Sequence, residues 1–233
     1  MAQGIRQALR LIAGVDPELL PIVLLSLRVS ATALLFSALV GVPLGAWLGL
    51  RRFIGRRLVI AILYTGMGFP PVVVGLFVYL LLSRSGVVGA LGWPWLPHLF
   101  TPEAMVLAQI IIATPLVSAF TMAAVMGVDP NLRWQLISLG ATPWQATCSV
   151  LREAGVGVVV AIVAGFGSII SEVGAVMLVG GNIEGSTRVL TTAILLETRQ
   201  GHFDLALAMG IVLLALTFAI NALVLWLQGK AHE

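Results

Sequence analysis

The sequence predicts an all-α integral membrane protein of about five transmembrane helices, and three observations carry that prediction. The first is composition: of 233 residues, 59% are hydrophobic and only 10% charged, with a mean hydropathy of +1.06. A soluble domain carries roughly 25% charged residues, so water cannot be the only solvent around this chain. The second observation is a series of long apolar windows. The third is that the charges fall between those windows and hardly ever within them.

Crossing ~30 Å of hydrocarbon takes ~20 residues at ~1.5 Å each. Charge-free windows of that length cover residues 29–50, 58–83, 104–128 and 205–229, and a fifth, 154–180, contains Glu172 as its one charge. Ahead of them, residues 1–25 read as an external or interfacial segment. Asp16-Pro17-Glu18 interrupts the approach to the first apolar run, which is itself too long for the core of a secretory signal. Residues 1–13 read either as a surface helix with Arg6 and Arg10 on its polar side or as a frayed terminus.

Orientation follows the densest basic cluster, Arg51, Arg52, Arg56 and Arg57, which belongs in the cytoplasm. The N-terminus then lies outside and the C-terminus inside. Arg133, Arg152 and Lys230 share the inner side; Arg28 at the first helix end, Arg84, Arg188 and Arg199 fall on the outer side. Membrane orientation thus accounts for the excess of thirteen Lys and Arg over ten acidic residues, without a nucleic-acid partner. Trp93-Pro94-Trp95 falls in an outer loop, where indoles anchor in the headgroup layer. Cys148 is the lone cysteine, so no internal disulfide forms, and it reads as a buried thiol.

The second window is interrupted by Gly66, Gly68, Pro70 and Pro71. Either this is a plain proline kink, or it is broken backbone of the kind transporters use to offer free peptide groups to a solute. The third window carries Thr114-Pro115, Ser118 and Thr121, and the fifth Thr217 and Asn221, which read as helix-to-helix bonding groups or as solute contacts. Read as one helix, the fourth window has a small and polar stripe, Ala161, Gly165, Ser168, Glu172 and Ala175. Beside it runs a bulky stripe, Ile162, Phe166, Ile169, Val173 and Val176, suited to lipid or apolar helices. An ionised Glu172 at depth costs at least ~2.5 kcal/mol, so it needs a partner, as a structural anchor or as a gate or pore position.

Between the third and fourth windows, residues 127–153 are too polar to span. Asp129-Pro130 reads as an N-cap followed by proline at the first helical position. The short helix so begun carries Leu132, Arg133, Gln135 and Leu136, and Gly140 stops it in a left-handed conformation. Thr142-Pro143-Trp144-Gln145 then opens a second helix with a capping box. Such a loop suits either an interfacial helix packed on the bundle or a docking element for a soluble partner.

The Gly140-Ala141-Thr142 core, followed ten residues after the glycine by Val150, resembles the cytoplasmic signature loop of type I ABC importer permeases. The match departs from that signature in two places. Trp134-Gln135-Leu136 stands where Glu-Ala-Ala is usual, and Arg152-Glu153 where Leu-Pro is usual. Ser30-Ala31-Thr32 leading to Gly41-Val42-Pro43-Leu44-Gly45, and Phe69-Pro70-Pro71-Val72-Val73-Val74-Gly75, are similar to the first two core helices of the family. Most specific are Phe166-Gly167, Ser171-Glu172-Val173-Gly174-Ala175-Val176-Met177, Gly180-Gly181-Asn182-Ile183 and Thr187-Arg188-Val189-Leu190-Thr191-Thr192. These closely resemble tungstate-type permeases and, more loosely, the molybdate and sulfate ones.

The resemblance covers residues 26–228 and implies the type I ABC importer permease fold, in a prokaryotic plasma (inner) membrane. It implies a homodimeric pore for an oxyanion, most specifically tungstate, with molybdate, sulfate or another small solute as alternatives. Two cytoplasmic subunits would bind ATP and Mg, and an extracytoplasmic binding protein would deliver the anion; this chain itself would hold no cofactor. The ATPase-coupling loop would use Arg133, Gln135, Leu136, Leu139, Gly140, Ala141, Thr142 and Trp144. The pore and gate candidates are Gly68, Pro70, Pro71, Thr114, Ser118, Ser168, Glu172 and Asn182.

The rival classes fare worse. Asp16, Asp129 and Asp204 lie outside the windows, and His98, His202 and His232 lie in loops or the tail, with no pair at metal-ligand spacing. A serine nucleophile lacks a base at depth, and no Gly-Lys-Ser/Thr phosphate loop is present. We therefore assign no catalytic residue and no metal site. A self-sufficient channel or secondary transporter would need neither the structured inner loop nor so uncharged an interior. With no Lys or Arg deep in a window, an oxyanion would be held only weakly, as suits a conduit.

Overall fold

The computed structural model describes residues 19–93 and 95–231, and side chains at all of these but 225 and 227–231. The readings of residues 1–13, Asp16-Pro17-Glu18, Pro94, the Lys230 side chain and His232 lie outside the described residues. The helices are α1 (Leu19–Leu50), α2 (Arg56–Met67), α3 (Pro71–Leu82), α4 (Pro102–Met126), α5 (Pro130–Ser138), α6 (Pro143–Glu153), α7 (Gly155–Ile170), α8 (Gly174–Gly180), α9 (Leu190–Gln200) and α10 (Phe203–Ala231). A 3₁₀ turn at Gly89–Leu91 interrupts the connection between α3 and α4.

Three helices are each long and apolar enough to cross a membrane, Leu19–Leu50, Pro102–Met126 and Phe203–Val224. The number rises to five if α2 with α3, and α6 with α7, each count as one broken span. The chain divides into two compact units. One contains residues up to 33, 70–109 and those from 167 on; the other contains 34–69 and 110–166.

In the first unit α3 packs on α8 and α9 on α10. The α3–α8 contact is close because small residues face each other: a Cβ added to Gly75 would stand 2.5 Å from the Ala175 Cα. Leu19, Leu190, Ala193, Met209 and Val212 form the adjoining apolar cluster. The Leu190 N–H, at the start of α9, donates to the Ser26 hydroxyl at 2.8 Å, and that hydroxyl donates to the Ile22 carbonyl at 2.7 Å. A backbone donor left over at a helix start is thereby satisfied from another helix.

In the second unit the later part of α1 lies against α4 along Gly41, Gly45 and Gly49, one residue per turn. A Cβ on Gly45 would stand 2.3 Å from the Ser118 carbonyl oxygen, and one on Gly49 2.9 Å from Val125 Cγ1. This is the small-residue stripe that lets membrane helices approach backbone to backbone. Two clusters flank it, Leu48, Leu63, Ala119 and Met122, and Ala46, Val125, Val150 and Ala154. Helix α6 turns Ala146 and Val150 inward, and the chain bends by 69° into α7.

Three features differ from the sequence reading. Helix α1 starts at Leu19, well ahead of the window at 29, so Arg28 is an exposed residue within the helix and not at its end. The window 58–83 is two helices, and 154–180 is α7, a break and α8. Glu172 therefore does not continue the helical stripe through Ser168; it stands in the break.

Candidate functional site

The break at 171–173 is held by side chains from three directions. Helix α7 ends at Ile170, although neither glycine nor proline occupies 171–173. The Ser171 hydroxyl donates to the Gly167 carbonyl at 2.8 Å, taking a helix-end acceptor. Gln109, buried on α4, donates Nε2–H to the Ile169 carbonyl at 3.1 Å. The Thr191 hydroxyl, at the start of α9, donates to the Glu172 carbonyl at 2.9 Å. The Glu172 carboxylate turns forward, and its Oε1 accepts the Ala175 N–H at 2.9 Å. An acceptor with negative charge at the start of α8 suits the unsatisfied N–H groups there. A cavity of ≈ 10 Å³ lies against Ser26, Ser30, Gln109, Glu172 and Thr191.

The break at 68–70 is a true helix end and not a kink. The Gly68 and Phe69 N–H groups bond Thr65 and Gly66 carbonyls at 3.1 and 3.4 Å, the tight pattern of a terminating turn. Pro70 then takes an extended conformation (φ −59°, ψ 123°) as the N-cap of α3, with Pro71 at its first position. Val73 and Val74 N–H groups both return to the Pro70 carbonyl, at 2.9 and 3.2 Å.

After α8 the chain makes a compact loop. Thr187 is its post: its hydroxyl donates to the Gly180 carbonyl and accepts the Ile183 N–H, the latter at 2.9 Å. Asn182 sits in left-handed conformation (φ 52°), and its Oδ1 is buried without a hydrogen-bond partner among the described residues. Arg188 pairs with Glu184 at 3.3 Å.

Residues 127–153 fold as the local signals demand. Asp129 accepts the Asn131 N–H at 2.9 Å and starts α5. Gly140 (φ +93°) ends it in a full Schellman turn, with Gly140 N–H on the Ile137 carbonyl and Ala141 N–H on the Leu136 carbonyl, both at 3.0 Å. Thr142 and Gln145 exchange the two bonds of a capping box, at 2.8 and 3.3 Å, and open α6. Arg133, Gln135 and Leu136 thus lie on α5, Leu139 through Thr142 in the turn, and Trp144 on α6. Trp134, Leu139 and Trp144 are 65%, 85% and 74% exposed, on a loop whose backbone is fully specified.

The remaining candidates divide between the units. Pro70, Pro71, Ser168, Glu172 and Asn182 belong to the first, and Gly68, Thr114 and Ser118 to the second. The Thr114, Ser118 and Thr217 hydroxyls each donate to the carbonyl one turn back, at 2.7, 2.7 and 2.8 Å. Among the described residues they satisfy carbonyls of their own helices and show no bond to a neighbouring one. Ser118 is also fully buried, against the glycine stripe of α1. Of the two distant residues that hold the second break, Gln109 was not singled out from sequence, and Thr191 stood there only within a family motif. The available signal was a glutamine within an apolar window, a group that must find a partner at depth.

An apolar helical bundle with broken helices and one structured polar loop defines an integral membrane transport component. The chain belongs to the family of binding-protein-dependent transport system inner membrane components, whose pattern matches residues 41–232. It is 45% identical over 210 residues to a probable anion ABC transporter permease of Haloferax volcanii, covering 88% of each chain. It is 39% identical over 230 residues to the tungstate uptake system permease protein TupB of Peptoclostridium acidaminophilum, covering 99% of each. In fold it is similar to a chain of a bacterial alginate ABC transporter solved with an alginate-bound periplasmic protein. That match has a TM-score of 0.75 at 23% identity and covers 95% of this chain and 84% of the other.

Proposed function

We propose that this chain is the pore subunit of an ATP-driven importer of an oxyanion, with tungstate as the substrate. The 39% identity to a tungstate uptake permease across 99% of both chains carries this reading. Two copies form the conduit, and an external binding protein delivers the anion. Two cytoplasmic ATPase subunits holding ATP and Mg seat on residues 127–153, with the N-terminus outside and the C-terminus inside. Supporting the seat is the rigid, doubly capped turn with its three exposed apolar side chains, since aromatic residues on an ordered polar surface suit a protein contact. A carboxylate is a poor ligand for an anion, so Glu172 works through the α8 backbone it holds, as a gate support.

The test is uptake of labelled tungstate by cells lacking their own carriers and supplied with this chain, an ATPase subunit and an external binding protein from the same source. ATP-dependent accumulation, competed less well by molybdate and least by sulfate, is the expected outcome. Preferential accumulation of sulfate or an uncharged solute, or full-rate passage without the ATPase, would overturn the reading.

A further inference from the structure

We propose that an arginine-lined cleft in the second unit binds the phosphate headgroup of an anionic phospholipid. The cleft measures ≈ 690 Å³ and is built where α1 ends, α2 begins and α5 begins. Arg51, Arg52, Arg56 and Arg133 all line it. Its one carboxylate, Asp129, is already committed to the Asn131 N–H as the cap of α5. Among the described residues none of the four arginines has an ion-pair partner. Basic residues that merely set orientation need only lie beyond a helix end; these converge on a single cavity.

Two of the guanidinium groups are placed by the fold. Arg56 donates its Nε–H to the Leu48 carbonyl at 2.8 Å, which fixes the group at the end of α1. Arg133 Nε is buried and has no acceptor among the described residues. Buried donors are paired in the great majority of structures, and charged ones most of all. An anionic group in the cleft relieves the repulsion among the four like charges that line it, Arg133 among them.

The walls select a lipid over a free anion. Between the arginines the accessible lining is apolar side chain at two helix ends, Leu50 of α1 and the exposed Met126 of α4. A free oxyanion would engage the guanidinium groups and leave these walls bare. A phospholipid uses both, its phosphate on the arginines and its chain along the apolar wall, at the helix ends where headgroups lie.

The test uses the full permease purified with its partner subunits, stripped of lipid and titrated with phosphatidylglycerol or phosphatidylcholine under native mass spectrometry. Phosphatidylglycerol should be retained in preference. The double variant Arg51→Gln/Arg52→Gln should weaken retention by about fivefold per arginine removed. Arg51→Lys/Arg52→Lys should keep most of it, and Arg199→Gln, an exposed charge that does not line the cleft, should change nothing. Equal retention of the two lipids, or retention indifferent to the double Gln variant, overturns the proposal. Full displacement of phosphatidylglycerol by millimolar inorganic phosphate also overturns it, making the cleft a free-anion site. Because no transport is measured, the outcome is independent of which anion the importer carries.

Discussion

The break at 68–70 is made from residues that cannot continue a helix, Gly68, Pro70 and Pro71; the break at 171–173 contains none of them. The first needs no help from elsewhere, because proline removes a donor and clashes with the preceding turn. The second is held by side chains instead: Ser171 and Glu172 within it, and Gln109 and Thr191, distant in sequence, which bond the Ile169 and Glu172 carbonyls. The two breaks nevertheless lead to one structure: α3 follows the first, α8 follows the second, and these short helices pack on each other. The comparison teaches that a covalent break is locally redundant, whereas a hydrogen-bonded one is conditional on its partners. A conditional break is the better place for a conformational step.

The largest effect should come from the contact that joins the two. At Gly75 a Cβ would stand 2.5 Å from the Ala175 Cα, backbone that cannot step aside. Gly75→Val should push α3 off α8 and cost about 3 kcal/mol or more, the upper range for overpacking. The check is the thermal melting temperature of the purified permease, with Val74→Ala, a buried neighbour on the same helix, as a cavity-forming comparison. A melting temperature lowered no more by Gly75→Val than by Val74→Ala would show that the α3–α8 contact does not carry the joint.

A smaller and more selective effect should follow from Thr191→Val, which keeps shape and removes the donor to the Glu172 carbonyl. Leaving that carbonyl unpaired should cost about 1–3 kcal/mol. It should also loosen the second break specifically, read as faster amide hydrogen exchange at Val173–Ala175. Thr191→Ser keeps the hydroxyl and should restore protection. Exchange unchanged in Thr191→Val would mean that the break does not depend on this bond.

The same distinction explains what was legible in the sequence. The caps and the turn of residues 127–153 depend on neighbours within five positions: Asp129 for its cap, Gly140 for its left-handed turn, Thr142 and Gln145 for their exchange. All were readable and all formed. The first break was readable for the same reason. The second was not, since Ser171-Glu172-Val173 contains no helix breaker, and a helical projection carried Glu172 on beyond Ser168. The start of α1 was missed because a charge-free window stops at Arg28, while a helix whose Ser26 hydroxyl accepts the Leu190 N–H does not. The hydroxyls of Thr114 and Ser118 were visible as polar groups, but only coordinates say which carbonyl they serve. The pore assignment of the individual residues rests on broken backbone and polar groups within the apolar windows, because solute contacts leave no periodic trace in a single sequence.

The smallest effect should come from removing one breaker from the redundant site. In Pro70→Ala the extended N-cap conformation remains open to alanine, Pro71 still occupies the first position of α3, and Gly68 still ends α2. A residue before proline is itself biased away from the helical region, so an alanine placed directly ahead of Pro71 keeps the break. The expected loss is under about 1 kcal/mol, chiefly the added freedom of the unfolded chain. Amide exchange across 66–74 should remain as in the parent protein. If Pro70→Ala instead protected the Phe69 amide as an interior helical one, the helix would have closed through the break. The first interruption would then depend on a single residue, as the second depends on its distant hydrogen bonds.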